Sequence, residues 1–198
     1  MSPVLRLARG SPAYVAMPLA AAAVLTIFGS LWAAALFLLI SVFMLYFHRD
    51  PDRSPAGEGM ISPADGRVLK AIPGHISIFM SLRDVHVNRS PLDGVVKSLQ
   101  FRPGRHRPAF SLTDGNEQNT IEIESQDGTL LLRQIAGILA RTVICYVSPG
   151  DRVGRGERIG MIRFGSRVEV TVPPGYLISV RPGDRVRAGE TVIAVNRP

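Results

Sequence analysis

Two segments near the C-terminus repeat each other. Val147-Ser-Pro-Gly-Asp-Arg-Val-Gly-Arg-Gly-Glu157 and Val180-Arg-Pro-Gly-Asp-Arg-Val-Arg-Ala-Gly-Glu190 agree at eight of eleven positions, 33 residues apart. Each reads as a Pro-Gly turn, a short apolar piece and a second turn, the texture of β-hairpins and not of helices. The flanking sequence agrees. Val68–Ile72, Ile76–Ser81, Val95–Phe101, Thr120–Glu124, Thr129–Gln134, Thr142–Val147, Arg167–Val172, Leu177–Val180 and Thr191–Val195 are short β-type runs divided by turn residues. No segment beyond Met60 keeps a helical period over three turns. The expectation for residues 61–198 is a mainly β, antiparallel domain of sandwich or barrel type.

The N-terminal part is of another kind. From Gly10 to Phe47 there is no Asp, Glu, Lys, Arg or His. One helix of those 38 residues would reach about 57 Å, against a hydrocarbon core of about 30 Å. Gly29-Ser30 divides the stretch into Tyr14–Phe28 and Leu31–Phe47. A cleaved signal peptide fits poorly, because the apolar run continues past any plausible cleavage site. Arg6 and Arg9 precede the stretch and Arg49 and Arg53 follow it, which suits a helical hairpin with both ends on the cytoplasmic side. Residues 1–49 are therefore read as a membrane-anchoring hairpin, either crossing twice or dipping into one leaflet, and residues 50–60 as a linker. This places the chain at the cell membrane with its β domain on the cytoplasmic side.

The net charge is +7, with Lys70 and Lys97 the only lysines; such a balance favours an anionic partner, here anionic membrane lipid. The basic loop Arg102–Pro108 lacks any recognition module or aromatic–basic interleaving, so nucleic acid is not an expected partner. Cys145, the single cysteine, excludes an internal disulfide and reads as a buried strand thiol. His75 and His106 have no partners at metal-ligand spacing, and no metal is assigned. Homo-oligomerisation is left open by the sequence.

The duplicated segments look like the paired hairpins of biotinyl- and lipoyl-type barrel-sandwich folds, so the fold expected is a barrel-sandwich-like antiparallel β domain behind an N-terminal hydrophobic helical hairpin. Carriers of that type bear a lysine between the two halves. No lysine occurs after Lys97; the region between the copies holds Phe164-Gly165-Ser166 instead. Gly-Ser is a common turn dipeptide. A serine there is also able to attack the preceding carbonyl, since glycine has no side chain to obstruct it. Such a serine needs a general base, most often histidine. His86, in a strand-like run with Asp84, Asn88 and Arg89 nearby, is the candidate, and Asp65 is the candidate to orient it as in a triad.

Taken in order, Phe47-His-Arg-Asp-Pro-Asp-Arg53, Ile61-Ser-Pro-Ala-Asp-Gly-Arg-Val68, Leu82-Arg-Asp-Val-His-Val-Asn-Arg-Ser-Pro91 and Phe164-Gly-Ser166 resemble the short form of the phosphatidylserine decarboxylase proenzymes, over essentially the whole chain. The resemblance implies self-cleavage between Gly165 and Ser166 into a β chain of residues 1–165 and an α chain of residues 166–198. Ser166 then becomes a covalent pyruvoyl group, which forms a Schiff base with phosphatidylserine and releases phosphatidylethanolamine. Ser166, His86 and Asp65 are the catalytic candidates that follow. The family often has Leu-Gly-Ser-Thr at the cleavage site, where this chain has Phe164-Gly165-Ser166-Arg167. Long-form members carry two histidines three residues apart; here Arg89 stands at the second position, so either His86 serves both steps or another base serves maturation. Arg89 is a candidate for the substrate's phosphate or carboxylate. Asn116-Glu-Gln-Asn119 matches a polar segment of the family, making Asn116 and Glu117 candidate pocket contacts, although turn formation explains the segment as well. The alternative reading is a membrane-anchored barrel-sandwich adaptor without activity, which leaves Gly165-Ser166 and His86 without a purpose.

Overall fold

The computed structural model describes residues 6–105, 108–110, 115–138 and 143–196. His106 and Thr142, both part of the sequence reading, lie outside the described residues. The chain forms two compact units, Met1–Asp52 and Arg53–Pro198.

The first unit is a helical hairpin of α1 (Pro12–Ile27) and α2 (Leu31–Phe47). Gly29, at φ +74°, makes the reversal, a conformation glycine adopts without steric penalty. The helices run antiparallel: Ser41 Oγ near the end of α2 donates to the Val15 carbonyl near the start of α1, at 2.9 Å. Leu7 and Arg49 pair as an antiparallel bridge, and the rings of Tyr14 and His48 stack at 5.4 Å. At 16 and 17 residues the helices are about 24 and 26 Å long. Among the described residues no helix is long and apolar enough to cross a membrane. The reversal between them leaves Ile27, Phe28, Leu31 and Trp32 exposed, Trp32 to 93%.

In the second unit the described strands are β1 (Met60–Ile61), β2 (Gly66–Ile72), β3 (His75–Met80), β4 (Val87–Arg89), β5 (Gly94–Arg102), β6 (Gln118–Ser125) and β7 (Gly128–Ala136). They continue with β8 (Val143–Cys145), β9 (Arg152–Val153), β10 (Arg158–Ile162), β11 (Ser166–Thr171), β12 (Tyr176–Ile178), β13 (Arg185–Val186) and β14 (Val192–Asn196). The main sheet has eight strands in the order β13-β2-β3-β11-β7-β6-β5-β9, and two three-stranded sheets, β1-β14-β12 and β4-β10-β8, accompany it. Every pairing between these described strands is antiparallel. The mainly β expectation holds. Alternate residues of the long strands, Ile76 and Ile78, Ile121 and Ile123, Leu130 and Leu132, Val168 and Val170, point into one buried core, the period-2 pattern of a sheet with one face covered.

The repeated segments end the main sheet on opposite edges, one as β9 and the other as β13. They dock identically. Gly150 and Gly183 each donate at 2.8 Å, to the carbonyls of Val96 and Val68, whose own N–H groups return bonds of 2.9 Å to Asp151 and Asp184. Asp151 and Asp184 cap their turns alike, at 2.8 Å from the amides of Ser148 and Arg181. The receiving strands are themselves preceded by a second duplication, Ser62-Pro-Ala-Asp-Gly66 and Ser90-Pro-Leu-Asp-Gly94. Ser62 and Ser90 close matching turns at 2.7 Å. Their carbonyls accept from Gly189 and Gly156, and Asp65 and Asp93 accept from the amides of Ala188 and Arg155. The domain is thus an internal pseudo-twofold in which each Ser-Pro-x-Asp-Gly turn receives the second turn of one repeat, and the strand after it receives the Pro-Gly-Asp turn.

Two details differ from the sequence reading. The two-residue strands β1, β9 and β13 were not among the runs expected. Residues 53–60, read as linker, lie on the β unit: Arg53 is buried against Asp65, and the Ala56 amide donates to the Glu190 carbonyl at 2.9 Å.

Candidate active site

Ser166 opens β11 in the middle of the main sheet, paired with Met80 at the end of β3 on one side and with Ala136 at the end of β7 on the other. It is wholly buried. Before it, Phe164 and Gly165 both have positive φ, +59° and +60°. Glycine accepts this freely, whereas Phe164 is strained there. The two reversed residues turn the Gly165 carbonyl toward Gly137. A Cβ built on Gly137 would fall within 3.0 Å of that oxygen, and 3.1 Å from the Ala109 Cβ, so glycine there leaves the room the carbonyl uses.

The partner Ala136 is itself clamped. Asn116 Nδ2 donates to the Ala136 carbonyl at 2.7 Å, and the Ala136 amide donates to the Glu117 carbonyl at 2.9 Å. Asn116 and Glu117, candidates for substrate contact from sequence, thus hold the strand end beside Ser166.

His86 is reached from the same strand end by a short connection. Asp84 Oδ2 accepts from the amide and hydroxyl of Ser81, at 2.7 and 2.6 Å, closing the turn between β3 and β4. His86 follows, fully buried, with its Nδ1 2.9 Å from the Asp84 carbonyl oxygen. A carbonyl only accepts, so Nδ1 carries the proton and Nε2 is the basic nitrogen. The His86 carbonyl accepts from Ile162 at 3.2 Å, at the end of β10, four residues before Ser166.

Asp65 is placed otherwise than a triad would have it. Its carboxylate takes both terminal guanidinium nitrogens of Arg53, whose Nε faces Glu190 at 3.4 Å, the amide of Ala188 at 2.8 Å and the amide of Val85 at 3.3 Å. In place of a contact with the imidazole, it grips the backbone one residue before His86, while the ring is held by Asp84. The reason lies in the duplication: Asp93 makes the matching bond to Arg155, so receiving a turn amide is the basic role of this aspartate.

Arg89 also lies elsewhere than expected. Within β4 the side chains of Asn88 and Arg89 leave on opposite sides. Arg89 is buried, its Nη1 donates to the Gly156 carbonyl at 3.0 Å, and its side chain lies where a Cβ on Gly189 would stand, 2.6 Å away. Gly156 and Gly189 are equivalent positions of the two repeats, so Arg89 fastens both copies together.

Beside Gly165 opens an apolar cleft of about 220 Å³, walled by Phe79, Leu82, Ala109, Phe110, Ile138 and Phe164. Leu82, Phe110 and Ile138 are exposed at its rim. Sequence reasoning missed two residues beside the Gly165-Ser166 pair: Met80 and Gly137. They carry no motif, and only strand pairing brings them there.

Comparison with known proteins gives a consistent result. The family model described as phosphatidylserine decarboxylase matches residues 73–194. A phosphatidylserine decarboxylase proenzyme of Solibacter usitatus is 44% identical over 190 residues, covering 91% of this chain and 93% of the relative. A protein of Archaeoglobus fulgidus, named an archaetidylserine decarboxylase proenzyme, is 47% identical over 159 residues, 80% of this chain and 81% of its own. The phosphatidylserine decarboxylase proenzyme of Nitratidesulfovibrio vulgaris is 40% identical over 180 residues, 83% of each.

Proposed function

Since the chain belongs to the phosphatidylserine decarboxylase family, whose members are carboxy-lyases made as proenzymes, we propose that it cleaves itself at Gly165-Ser166 and decarboxylates phosphatidylserine to phosphatidylethanolamine with a pyruvoyl group formed from Ser166. The observation that carries the proposal is the setting of the pair. A buried serine is held by strand pairing on both sides, and the carbonyl it would attack nests in the space left by Gly137.

The chemistry balances with this chain's own groups. Ser166 Oγ gives its proton to His86 Nε2 and bonds to the Gly165 carbonyl carbon; the C–N bond breaks and the Ser166 nitrogen takes the proton, leaving an ester. Loss of the Ser166 α-proton expels the Gly165 carboxylate from Cβ. One water then replaces nitrogen at Cα, releasing ammonia. The pyruvoyl group supplies a carbonyl that condenses with the substrate amine and accepts the electron pair freed by loss of carbon dioxide.

Asp65 serves as a positioning residue, through Val85, for the segment that carries His86. Asn116 and Glu117 act through Ala136, and Arg89 acts by joining the repeats. The apolar cleft beside Gly165 supports a lipid substrate, since it offers tails a dry surface next to the reacting bond. The exposed apolar reversal of the hairpin and the net charge of +7 support attachment to an anionic membrane by insertion into one leaflet, with the β unit on the cytoplasmic side.

The test is a denaturing mass measurement with a carbon dioxide assay. The native sequence separates into chains of residues 1–165 and 166–198, the shorter bearing a carbonyl. Ser166→Ala remains one inactive chain. His86→Ala and Asp65→Ala, made separately, assign the base: His86→Ala stays uncut, whereas Asp65→Ala matures slowly. A Ser166→Ala protein that still split and released carbon dioxide would overturn the proposal.

A further inference from the structure

A row of buried amide side chains that the reaction above does not use ends on Ser166. Asn119 Nδ2 donates to Gln134 Oε1 at 3.1 Å, Gln134 Nε2 donates to Asn88 Oδ1 at 2.8 Å, and Asn88 Nδ2 donates to Met80 Sδ at 3.7 Å. Ser166 Oγ donates to the same sulfur at 3.4 Å. The five residues come from β6, β7, β4, β3 and β11, and all are buried, four of them completely.

The row has a direction. A carboxamide accepts at its oxygen and donates at its nitrogen, so each amide fixes the orientation of the next, from Asn119 to the thioether. Buried amides are costly unless satisfied, and apolar residues would fill these positions at less cost. Room is also kept for them: a Cβ on Gly160 would stand 2.7 Å from Gln134 Nε2. Asn88 lies two residues after His86, at the centre of β4. One end of the row is therefore tied to the segment of the base and the other to the nucleophile.

The acceptor at its end is unusual for a buried hydroxyl. A thioether is a weak acceptor. It sets the rotamer of the Ser166 hydroxyl, holds its proton less firmly than a carbonyl or carboxylate would, and leaves the oxygen lone pairs available for attack.

We propose that Met80 is the resting partner of the Ser166 hydroxyl in the uncut chain, and that Asn88, Gln134 and Asn119 are positioning residues that hold its sulfur there. This rests on the self-cleavage reading. The sulfur is chemically unchanged throughout: the proton passes from Oγ to His86, and the Oγ–C bond forms at Gly165. Once Oγ departs with the Gly165 carboxylate, the sulfur has lost the Ser166 donor and keeps Asn88 Nδ2. Met80 therefore acts in maturation and not in decarboxylation.

The experiment follows conversion of newly made full-length protein into two chains by denaturing mass measurement, then measures kcat per matured α chain. Met80→Leu keeps volume and removes the acceptor; maturation is expected to slow about fivefold to tenfold, the size of one modest hydrogen bond. Its kcat per matured chain falls far less, and the thermal midpoint is close to native. Met80→Gln, which returns an acceptor on an unbranched side chain, recovers most of the rate. Gln134→Leu leaves Met80 and Ser166 in place and slows maturation in the same way, which keeps the test open if Met80→Leu does not fold. Maturation of both leucine variants at the native rate, or losses of equal size in maturation and in kcat per matured chain, would overturn the inference alone. A native chain that never splits would overturn the self-cleavage reading itself.

Discussion

The carbonyl oxygen of Gly165 occupies the place where a side chain on Gly137 would begin. Gly137 does not have positive φ, so alanine there meets a shortage of space and not backbone strain. Gly137→Ala is expected to push the Gly165 carbonyl out of line with Ser166 Oγ. Overpacking of this kind costs about 1–3 kcal/mol, so conversion into two chains should slow about tenfold or more. A time course of the uncut fraction checks it, with the native chain in parallel.

Asp65 and Arg53 form a buried pair, their side chains 10% and 8% exposed. A buried charge left without a partner costs about 3–5 kcal/mol; Glu190, 3.4 Å from Arg53 Nε, keeps the loss on removing Asp65 at the lower end, about 3 kcal/mol. Asp65→Ala is expected to lose close to that amount in denaturant unfolding, and Asp65→Asn less, because the amide oxygen still accepts from Ala188. Asp93→Asn, at the equivalent but exposed position, should cost about 1 kcal/mol or less. Equal losses at 65 and 93 would show that the Arg53 pair adds nothing.

Leu82 and Phe110 stand exposed at the rim of the cleft beside Gly165. If lipid tails lie there, each contributes the burial of an apolar side chain, about 1.5–3 kcal/mol at most. Leu82→Ser and Phe110→Ser are each expected to raise KM for phosphatidylserine vesicles about tenfold, with little change in the rate of chain separation. A KM equal to the native value in both variants would move the lipid site elsewhere.

Burial holds the His75 imidazole below its usual value of 6.5, opposed by Glu169 and reinforced by Lys70, Arg133 and Arg167. The folded protein thus prefers the neutral ring, and below pH 6.5 the unfolded chain binds the extra proton. Stability should therefore rise with pH through the window below 6.5 and be lost on acidification. Thermal midpoints between about pH 5 and 7.5 should fall more steeply on the acid side for the native protein than for His75→Gln. A shallower native curve would reverse the sign.

The long strands were legible because five to nine residues suffice to show alternation; two-residue strands such as β1, β9 and β13 carry no period to read. The Pro-Gly-Asp-Arg-Val repeat announced the β architecture, and the Ser-Pro-x-Asp-Gly repeat was equally written in the sequence. The latter explains why Asp65 receives a turn amide in place of holding the His86 ring. The division of the hydrophobic stretch was legible at Gly29-Ser30, where the helices turn.

By itself, the sequence determined the two-part organisation and the β character of the larger part, and it offered Ser166 after a glycine and His86 as candidates by residue type. These are local properties of composition, turn chemistry and spacing. Only the tertiary structure decided which side chains meet. Strand register sets Met80 and Ala136 on either side of Ser166. The pseudo-twofold draws Asp65 to Arg53 and Ala188, and Arg89 to Gly156. Close packing of five strands brings the amide row to one sulfur. Such contacts join residues up to 123 positions apart, and no local pattern encodes them, because each depends on the pairing of every strand between.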